Sequence, residues 1–295
     1  MSTPGATVAL VGNPNVGKSV LFHRLTGTYV NVSNYPGTTI EVSRAAARFD
    51  RTAEILDTPG VLALPSRTDD ERAAMRALLQ EDLRALAQVG DAKNLRRTLS
   101  LTAMLAELGL PMVLVLNMSD EARARNVHID AALLEGELGI PVFATVATGG
   151  EGIAALTDGL ARPGVPRTSV RYPDVVEQAV ADAAALLQQR ALVASISPRG
   201  LALLYLAEDP EVEAMLEQRL GDAHAGLGII RERARQAFAE PLPRVMARAR
   251  STWAEAVDAR CVRHERAATP RMAQRIGQLA IHPVWGWPIL LAVLY

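Results

Sequence analysis

The chain has 295 residues, 49% of them hydrophobic, and its 31 basic and 32 acidic side chains leave a net charge of -1. This length favours two domains over one, and the balanced charge gives no electrostatic reason to expect a nucleic-acid partner. The single cysteine, Cys261, excludes a disulfide within the chain. Residues 1–7 lack the charged and then apolar pattern of a signal peptide, so we expect a cytosolic start.

The first half of the chain alternates short apolar runs with amphipathic stretches. The runs predict strands at residues 8–11, 53–56, 113–116 and 142–145, and the stretches predict helices at residues 19–25, 70–86, 95–108 and 129–138. Continuous apolar runs are typical of parallel strands that are buried on both faces. We therefore predict an α/β fold in which helices cover both faces of a parallel sheet.

The pattern changes around residues 162–173, where several prolines indicate a linker. Helix-forming stretches follow at residues 174–194, 200–206, 211–220, 227–239 and 244–263, and no convincing strand pattern interrupts them. We therefore predict a second, all-helical domain. The predicted domains are residues 1–165 and 166–268, followed by a C-terminal segment, residues 269–295.

The segment after the first predicted strand matches the phosphate-binding pattern G-x-x-x-x-G-K-S. It comprises Gly12, Asn13, Pro14, Asn15, Val16, Gly17, Lys18 and Ser19. Glycines allow the backbone to curl so that its N–H groups face phosphate oxygens, and the following helix adds its positive N-terminal end. We expect Lys18 to reach the β- and γ-phosphates and the Ser19 hydroxyl to bind Mg²⁺. The alternative is a plain glycine-rich turn, which the flanking strand and helix disfavour.

A second polar turn follows the next predicted strand. It comprises Asp57, Thr58, Pro59 and Gly60. A carboxylate at the end of a strand can hold Mg²⁺, usually through water, and the Gly60 N–H can meet the γ-phosphate. Such a turn is common on its own, and it gains weight from its place downstream of the phosphate-binding loop.

A third polar turn follows the strand at residues 113–116 and comprises Asn117, Met118, Ser119 and Asp120. The Asp120 carboxylate can accept hydrogen bonds from the guanine N1–H and 2-amino groups, which adenine lacks, so it can discriminate strongly between the bases. The Asn117 amide can bond the base and brace the loop. An Asx turn is the alternative, but open α/β sheets bind ligands at this edge. The motifs together predict a P-loop GTPase (Ras-like) domain that binds GTP and GDP.

The segment NYPGTT, residues 34–39, lies between the phosphate-binding helix and the strand at residues 53–56. A switch that senses the nucleotide belongs at this place in the chain. The Thr39 hydroxyl can join the Mg²⁺ shell when the γ-phosphate is present. We group Gly37 and Thr38 with it as nucleotide-binding residues, and a plain surface loop is the alternative.

The group that promotes GTP hydrolysis is less evident. Ras-like enzymes place a glutamine directly after the Asp-x-x-Gly turn, and here that position is Val61, which cannot orient water. We therefore expect slow hydrolysis in which another group offsets the transition-state charge. Asn15 is a candidate ligand for a monovalent cation, or it only shapes the loop. The candidate catalytic residues are Asn15, Lys18, Thr39 and Gly60.

Together these motifs resemble the FeoB family of ferrous-iron transporters. The resemblance lies in GNPNVGKS, NYPGTTIE, DTPG, GDAKNLRRTLSLT and VLNMSD, and it extends to YPDVVEQAV and HPVWGWPILL. It implies a cytosolic GTPase domain, a helical (GDI-like) domain and a membrane-embedded transporter domain as partner, with this region on the cytoplasmic side of the inner (plasma) membrane. It also implies that Asn15 binds K⁺.

Some positions depart from that family. Its base-side loop usually contains Ser-Ala, whereas this chain has Val146, Ala147 and Thr148 after Thr145. A backbone N–H can still meet the guanine O6, but a hydroxyl is lost, which leaves base affinity and nucleotide release open. Gly90 also replaces an expected apolar strand residue.

The last segment, residues 281–295, is apolar and lacks Asp, Glu, Lys and Arg. Trp285 and Trp287 suit a membrane interface, and Arg271 and Arg275 suit a cytoplasmic flank. We interpret this segment as the start of the first transmembrane helix, although it is shorter than a full span. A helix packed on the protein's own core is the alternative.

Three functions stay open on the sequence alone. The first is a GTP-binding and GTP-hydrolysing module that regulates ferrous iron transport, with its membrane domain missing or separately encoded. The second is a stand-alone GTPase, and the third is a non-hydrolysing, nucleotide-dependent scaffold; both are unrelated to transport. Homo-oligomer formation is also left open.

Overall fold

The computed structural model describes residues 7–27, 31–34, 41–50, 52–63, 65–167, 170–190 and 195–264, and also residues 279, 282, 287–288, 291 and 295. Gly37, Thr38 and Thr39 lie outside these residues, and so does most of the apolar segment at residues 281–295. Among the described residues, no helix combines the length and the apolar composition that crossing a membrane requires.

A seven-stranded sheet forms the centre of the first half, in the order β2-β3-β4-β1-β5-β6-β8. The strands are β1 (Thr7–Gly12), β2 (Asn31–Asn34), β3 (Glu41–Ala46), β4 (Glu54–Asp57), β5 (Leu83–Asp91), β6 (Met112–Asn117) and β8 (Val142–Ala144). The pairs that join β4, β1, β5, β6 and β8 are all parallel, whereas β3 is antiparallel to both of its neighbours. The predicted parallel sheet is confirmed for these five strands and is wrong for β3.

Helices flank the sheet and make up most of the second half. In the first half they are α1 (Lys18–Thr26), α2 (Asp69–Gln80), α3 (Leu95–Glu107), α4 (Ser119–Ala124), α5 (Ala131–Leu138) and α6 (Ile153–Leu160). In the second half they are α7 (Asp174–Gln189), α8 (Pro198–Leu206), α9 (Pro210–Leu220), α10 (His224–Gln236) and α11 (Leu242–Cys261). A short 3-10 helix, Gly221–Ala223, joins α9 to α10. The predicted α/β part followed by a helical part is confirmed.

Each face of the sheet is covered by its own apolar layer. Side chains alternate along a strand, so Val8 and Leu10 of β1 join the layer that contains α1 and α6. Ala9 and Val11 join the opposite layer, which contains α2, α3 and apolar side chains from α7 to α11. The helical half therefore shares one continuous core with one face of the sheet.

A buried ion pair joins α3 to α11. Arg250 donates from Nη2 and Nε to one carboxylate oxygen of Glu107 at 2.8 and 3.1 Å, and the two side chains are 5% and 8% exposed. The Tyr172 hydroxyl donates to the other oxygen of Glu107. Because separating such a pair would leave a charge buried without a partner, this cluster fixes how α11 packs on the first half.

Gly90 allows α3 to approach the sheet closely. A Cβ atom at this position in β5 would lie 2.1 Å from Cγ2 of Thr98 in α3. Thr98 is buried, and the nearby Gln88 side chain donates to its backbone carbonyl at 2.9 Å. Helix packing therefore explains why glycine replaces the expected apolar residue here.

Three sequence predictions of local structure are wrong. The helix predicted over residues 70–86 ends at Gln80, and the chain then forms β5. Alanine and leucine in this stretch suit a helix, but burial between β1 and β6 favours an extended strand. The strands β2 and β3 were not predicted at all. The second half also contains a strand, β9 (Val262–His264), which pairs with β7 (Val127–Ile129). Because Ile129 belongs to β7, α5 begins at Ala131 and not at the predicted residue 129.

Candidate functional site

The three predicted motifs meet at one edge of the sheet, where β1, β4 and β6 end. In the first motif, Asn15 and Gly17 adopt left-handed conformations with φ of 63° and 87°, and α1 begins at Lys18. A Cβ atom at Gly17 would lie 2.4 Å from Nδ2 of Asn117, in the third motif. Gly17 is therefore required both by its backbone angle and by the close approach of a second loop.

Lys18 is held inside the phosphate-binding loop and is 8% exposed. Its ammonium donates to the backbone carbonyls of Gly12 and Asn13 at 3.1 and 3.2 Å. Burial lowers the pKa of Lys18, and the charges of Asp57 and Asp70 partly oppose that change. The amine is thus a desolvated positive group, which a negatively charged ligand would stabilise.

Asp57 faces Lys18 from the end of β4. Burial raises the pKa of the Asp57 carboxyl, while a hydrogen bond from Ser19 and the charge of Lys18 act in the opposite direction. One carboxylate oxygen, Oδ1, is buried and has no hydrogen-bond partner among the residues that the structure describes. An unpaired buried carboxylate oxygen beside a hydroxyl is a donor set that fits Mg²⁺, a hard cation with oxygen ligands.

The turn after Asp57 is joined to the phosphate-binding loop by hydrogen bonds. Thr58 donates from its N–H and its hydroxyl to the Leu10 carbonyl at 3.2 and 2.8 Å. Asn13 Nδ2 donates to the Val61 carbonyl at 2.9 Å, and the Val61 N–H donates to the Gly12 carbonyl at 3.0 Å. Val61 is 1% exposed, so its side chain belongs to the core.

Pro59 and Gly60, between Thr58 and Val61, also pack closely against the phosphate-binding loop. A Cβ atom at Gly60 would lie 2.8 Å from Cγ of Pro14, which is itself exposed at the rim of the loop. Pro59 follows the buried Thr58 and connects it to Gly60. The first two motifs therefore form one rigid unit, and the exposed side chains of Pro14, Asn15 and Ser19 line its outer surface.

The amide of Asn117 connects the third motif to the first. Its Nδ2 donates to the Val16 carbonyl at 2.9 Å, and its Oδ1 accepts from the Thr145 hydroxyl at 3.1 Å and the Ala147 N–H at 2.9 Å. The side chain is 3% exposed. The sequence predicts two roles for the Asn117 amide, bonding the base and bracing the loop. In this structure the amide braces the loop.

The rest of the third motif presents Asp120 to solvent. Met118 adopts a left-handed conformation, with φ of 60°, and precedes the first turn of α4. Ser119 is buried and bonded to the carbonyls of Leu116 and Thr145 at 2.8 and 3.1 Å. Asp120 is exposed, so its carboxylate is accessible to a base that enters from solvent.

We define the base loop as residues 145–151, directly after β8. Val146 and Ala147 are buried, and Thr148 is exposed. The Val146 N–H donates to the Glu151 carbonyl, and the Val146 carbonyl accepts from the Gly150 N–H. A backbone N–H of this loop was expected to meet the guanine O6, and the Ala147 N–H donates instead to Asn117. The base loop therefore lies next to Asn117 and close to Asp120. The Ala147 N–H is already bonded to Asn117, so in this arrangement it does not point to a base.

Models of two protein domain families match the chain. One, described as ferrous iron transport protein B, matches residues 6–160, and the other, described as the FeoB cytosolic helical domain, matches residues 172–263. Among curated proteins, the Fe(2+) transporter FeoB of Staphylococcus aureus (strain COL) is 27% identical over 290 residues, or 97% of this chain and 43% of that protein. The Fe(2+) transporter FeoB of Escherichia coli (strain K12) is 42% identical over 157 residues, or 51% of this chain and 20% of that protein.

Solved structures are similar as well. A GDP-bound point mutant of the S. thermophilus FeoB G-domain aligns with a TM-score of 0.78 and 28% identity, covering 89% of this chain and 100% of that one. The cytosolic domain of the T. maritima FeoB iron transporter in its GMPPNP form aligns with a TM-score of 0.72 and 28% identity, covering 88% and 99%. The chain thus matches cytosolic FeoB structures along nearly their whole length but spans less than half of the curated relatives.

A carboxylate that the sequence analysis missed organises the loop after the second motif. Glu71 is 4% exposed and accepts four backbone hydrogen bonds, from Leu62, Ala63, Arg67 and Thr68. Burial raises the pKa of the Glu71 carboxyl, but these bonds outweigh burial and the pKa lies below its usual value. The capping-box pattern T-x-x-E, in which Thr68 also bonds Glu71, was the available signal.

We predict that Glu71→Gln lowers the free energy of unfolding at pH 7 by roughly 1–2 kcal/mol, because a neutral amide is a weaker acceptor for these bonds. Since the folded pKa lies below the unfolded pKa, ionised Glu71 stabilises the fold above the unfolded value, and this contribution is lost as the pH falls through the folded value. Urea unfolding at pH 7 and about pH 3 should show the difference between the two proteins shrinking in acid.

Asp69→Asn is the matched control, because Asp69 is an exposed carboxylate in the same turn of α2. It should change the free energy of unfolding by less than about 0.5 kcal/mol. A difference for Glu71→Gln that is equal at both pH values would contradict the assignment.

Proposed function

This chain belongs to the FeoB family of ferrous iron transport proteins, and we propose that it is a cytosolic module that binds and hydrolyses GTP to regulate ferrous iron transport by a membrane domain. The family match, which includes a P-loop GTPase domain and a helical domain, disfavours the alternatives of a stand-alone GTPase or a scaffold unrelated to transport. The observation that carries the proposal is the arrangement of two side chains: Lys18 is buried within reach of the charge of Asp57, and Oδ1 of Asp57 is buried with no hydrogen-bond partner among the described residues.

We assign the nucleotide contacts from this arrangement. The Lys18 ammonium would bind the β- and γ-phosphates, the loop from Gly12 to Ser19 would surround them with N–H groups, and Gly60 would meet the γ-phosphate. Ser19 and Asp57 would hold Mg²⁺, which when bound neutralises phosphate charge. From the sequence alone, Thr39 completes that shell, and Asp120 selects guanine.

For hydrolysis, we propose a slow reaction that depends on Mg²⁺ and is stimulated by K⁺. Val61 lies in the core at the position where a water-orienting glutamine would stand. Asn15 is exposed at the rim of the phosphate-binding loop, so its side-chain oxygen is available to a monovalent cation beside the phosphates. Such a cation would offset the charge that develops in the transition state.

Regulation requires contact between the nucleotide-binding edge and the helical half. Six positions beyond Gly60, the Ser66 N–H and hydroxyl donate to one oxygen of Asp209 at 2.6 and 2.9 Å. The other oxygen of Asp209 caps the start of α9, and Arg76 of α2 pairs with Glu211 of the same helix. These contacts support a route from the γ-phosphate to the helical half.

We also retain the domain division at residues 1–165, 166–268 and 269–295 as a proposal. In it, the last segment begins the first transmembrane helix and joins the helical domain to the transporter domain. The whole transport activity, the membrane partner and the location on the cytoplasmic side of the inner membrane belong to this proposal, because the chain matches less than half of its curated relatives.

The first test concerns base selectivity. Wild-type protein should bind GTP and GDP far more tightly than ATP, and Asp120→Ala should weaken GDP binding by roughly 2 kcal/mol or more, since guanine N1–H and its amino group lose their acceptor. Isothermal titration calorimetry with GDP and ADP measures both effects. Asp158→Ala on α6 is the control, since it removes an acidic side chain outside the three motifs. Equal affinities for GDP and ADP in the wild type would refute the assignment.

A second test concerns the cation. GTP turnover should require Mg²⁺ and be faster in potassium than in sodium, and Asn15→Ala should remove this difference while leaving GDP affinity within about threefold, because the cation is needed mainly as charge develops. Phosphate release measured in matched KCl and NaCl buffers gives both rates. If Asn15→Ala retains the full potassium response, Asn15 is not the ligand.

The transport proposal is tested in cells. Deleting the gene for this chain in its own host should lower uptake of radioactive ferrous iron, and the wild-type gene should restore it. Lys18→Ala should fail to restore uptake, because the loop would lose its phosphate-binding charge. Arg235→Ala, an exposed substitution on α10, should restore it fully. Normal uptake with Lys18→Ala would show that transport does not require nucleotide binding by this chain, and normal uptake after the deletion would separate the chain from iron transport.

A further inference from the structure

Arg24 links the phosphate-binding helix to the base loop. It lies in the last turn of α1 and is exposed, and none of the nucleotide-binding motifs includes it. Its Nε donates to the Ala147 carbonyl at 2.9 Å, and its Nη2 donates to the Thr148 carbonyl. One side chain thus holds two successive carbonyls of a loop that is more than a hundred positions away in sequence.

These two bonds determine how the base loop presents its N–H groups. A trans peptide is planar, so fixing the carbonyl of one residue also fixes the N–H of the next on the opposite side. By holding Ala147 and Thr148, Arg24 orients the amides of Thr148 and Gly149. The guanidinium suits this task because its N–H groups form a rigid fork, whereas a lysine ammonium is a point contact.

Arg123 contacts the other end of the base loop. It lies in α4, three positions after Asp120, and donates two hydrogen bonds to Glu151 at 3.0 and 3.1 Å. The Glu151 carbonyl in turn accepts from the Val146 N–H at 3.1 Å, which closes the loop. Both charged side chains are more than half exposed, so their ion pair contributes little and is weakened by salt.

The need for external support follows from the composition of the loop. Val146 has no hydroxyl with which to bond its surroundings, and Asn117 holds only the first part, through Thr145 and Ala147. Beyond that part, Arg24 and Arg123 supply side-chain contacts from outside the loop. Arg24 holds the backbone of the loop directly, whereas Arg123 contacts only the exposed side chain of Glu151, so we expect Arg24 to restrain the loop more strongly.

We propose that Arg24, assisted by Arg123, is a positioning residue that keeps the base loop closed over bound guanine nucleotide and so sets the rate of nucleotide release. This inference rests on the proposed contact between the base loop and guanine. Release requires the loop to move away from the base, and that movement breaks the bonds from Arg24. Because α1 also begins at Lys18, the same side chain couples the phosphate side of the site to the base side.

The test measures release of a fluorescent GDP analogue by stopped flow, with excess unlabelled GDP as competitor. Arg24→Ala should release the analogue about tenfold faster, the order expected when charge-assisted hydrogen bonds that close a site are lost. Its association rate should change by less than about threefold, since affinity changes of this kind lie mainly in dissociation. Arg24→Lys should release at an intermediate rate, because it keeps the charge but not the fork.

Arg123→Ala and Glu151→Gln should each release GDP about twofold faster at low salt, and the difference should vanish near 1 M salt, where exposed ion pairs are screened. Arg235→Ala is the matched control, since Arg235 is an exposed arginine paired with Glu232 on α10. It should release GDP at the wild-type rate. Melting temperatures of all variants separate loop opening from loss of the fold, and Arg24→Lys decides the question if Arg24→Ala is unstable.

Release from both Arg24 variants within twofold of the wild type would overturn the proposal, and so would an effect confined to association. Asp120→Ala, measured in parallel, distinguishes this failure from failure of the proposed function. If Asp120→Ala weakens GDP binding while the Arg24 variants release normally, only the role of Arg24 is wrong. If Asp120→Ala has no effect, the guanine site itself is wrongly assigned.

Discussion

The buried amide of Asn117 is the interaction on which the geometry of the nucleotide-binding edge depends. It connects Val16 in the phosphate-binding loop to Thr145 and Ala147 in the base loop, and the absence of a side chain at Gly17 makes room for it. An apolar residue of the same size would leave these groups without partners in a buried environment, at about 1–3 kcal/mol for each group. The phosphate side and the base side of the site are therefore fixed relative to each other before any ligand arrives.

The first half of the chain is connected to the helical half by several independent contacts. The apolar layer on one face of the sheet continues into α7–α11, and the ion pair of Arg250 with Glu107 fixes α11 against α3. Asp209 uses its two oxygens to hold Ser66 and to cap α9. Because buried charges without partners are costly, the two halves resist sliding past each other.

The sequence predicts those parts of the molecule whose signals lie within a few neighbouring residues, such as contiguous motifs and apolar runs. The three motifs are contiguous, and each follows an apolar run, so their meeting at one edge of a mostly parallel sheet follows from the alternation of strands and helices. The first part of β5, residues 83–86, was mistaken for helix because its alanine and leucines favour a helix, and only the neighbouring strands β1 and β6 make it extended. The brace at Asn117 was foreseen as one of two roles, whereas the contacts of Arg24 and Asp209 join distant segments, and no local pattern signals them.

The energetics of the site limit how strongly nucleotide could control the helical half. Burial disfavours the charged forms of both Lys18 and Asp57, so phosphate and a cation would relieve an unfavourable arrangement in either nucleotide state. Only the γ-phosphate distinguishes GTP from GDP, and a ligand shifts an equilibrium only by its differential affinity for the two conformations. The bonds from Ser66 to Asp209 are charge-assisted, and losing both would cost about 3 kcal/mol, or roughly a hundredfold change in population. That value is large enough to shift an equilibrium between two conformations of the helical half and too small to unfold the core around it.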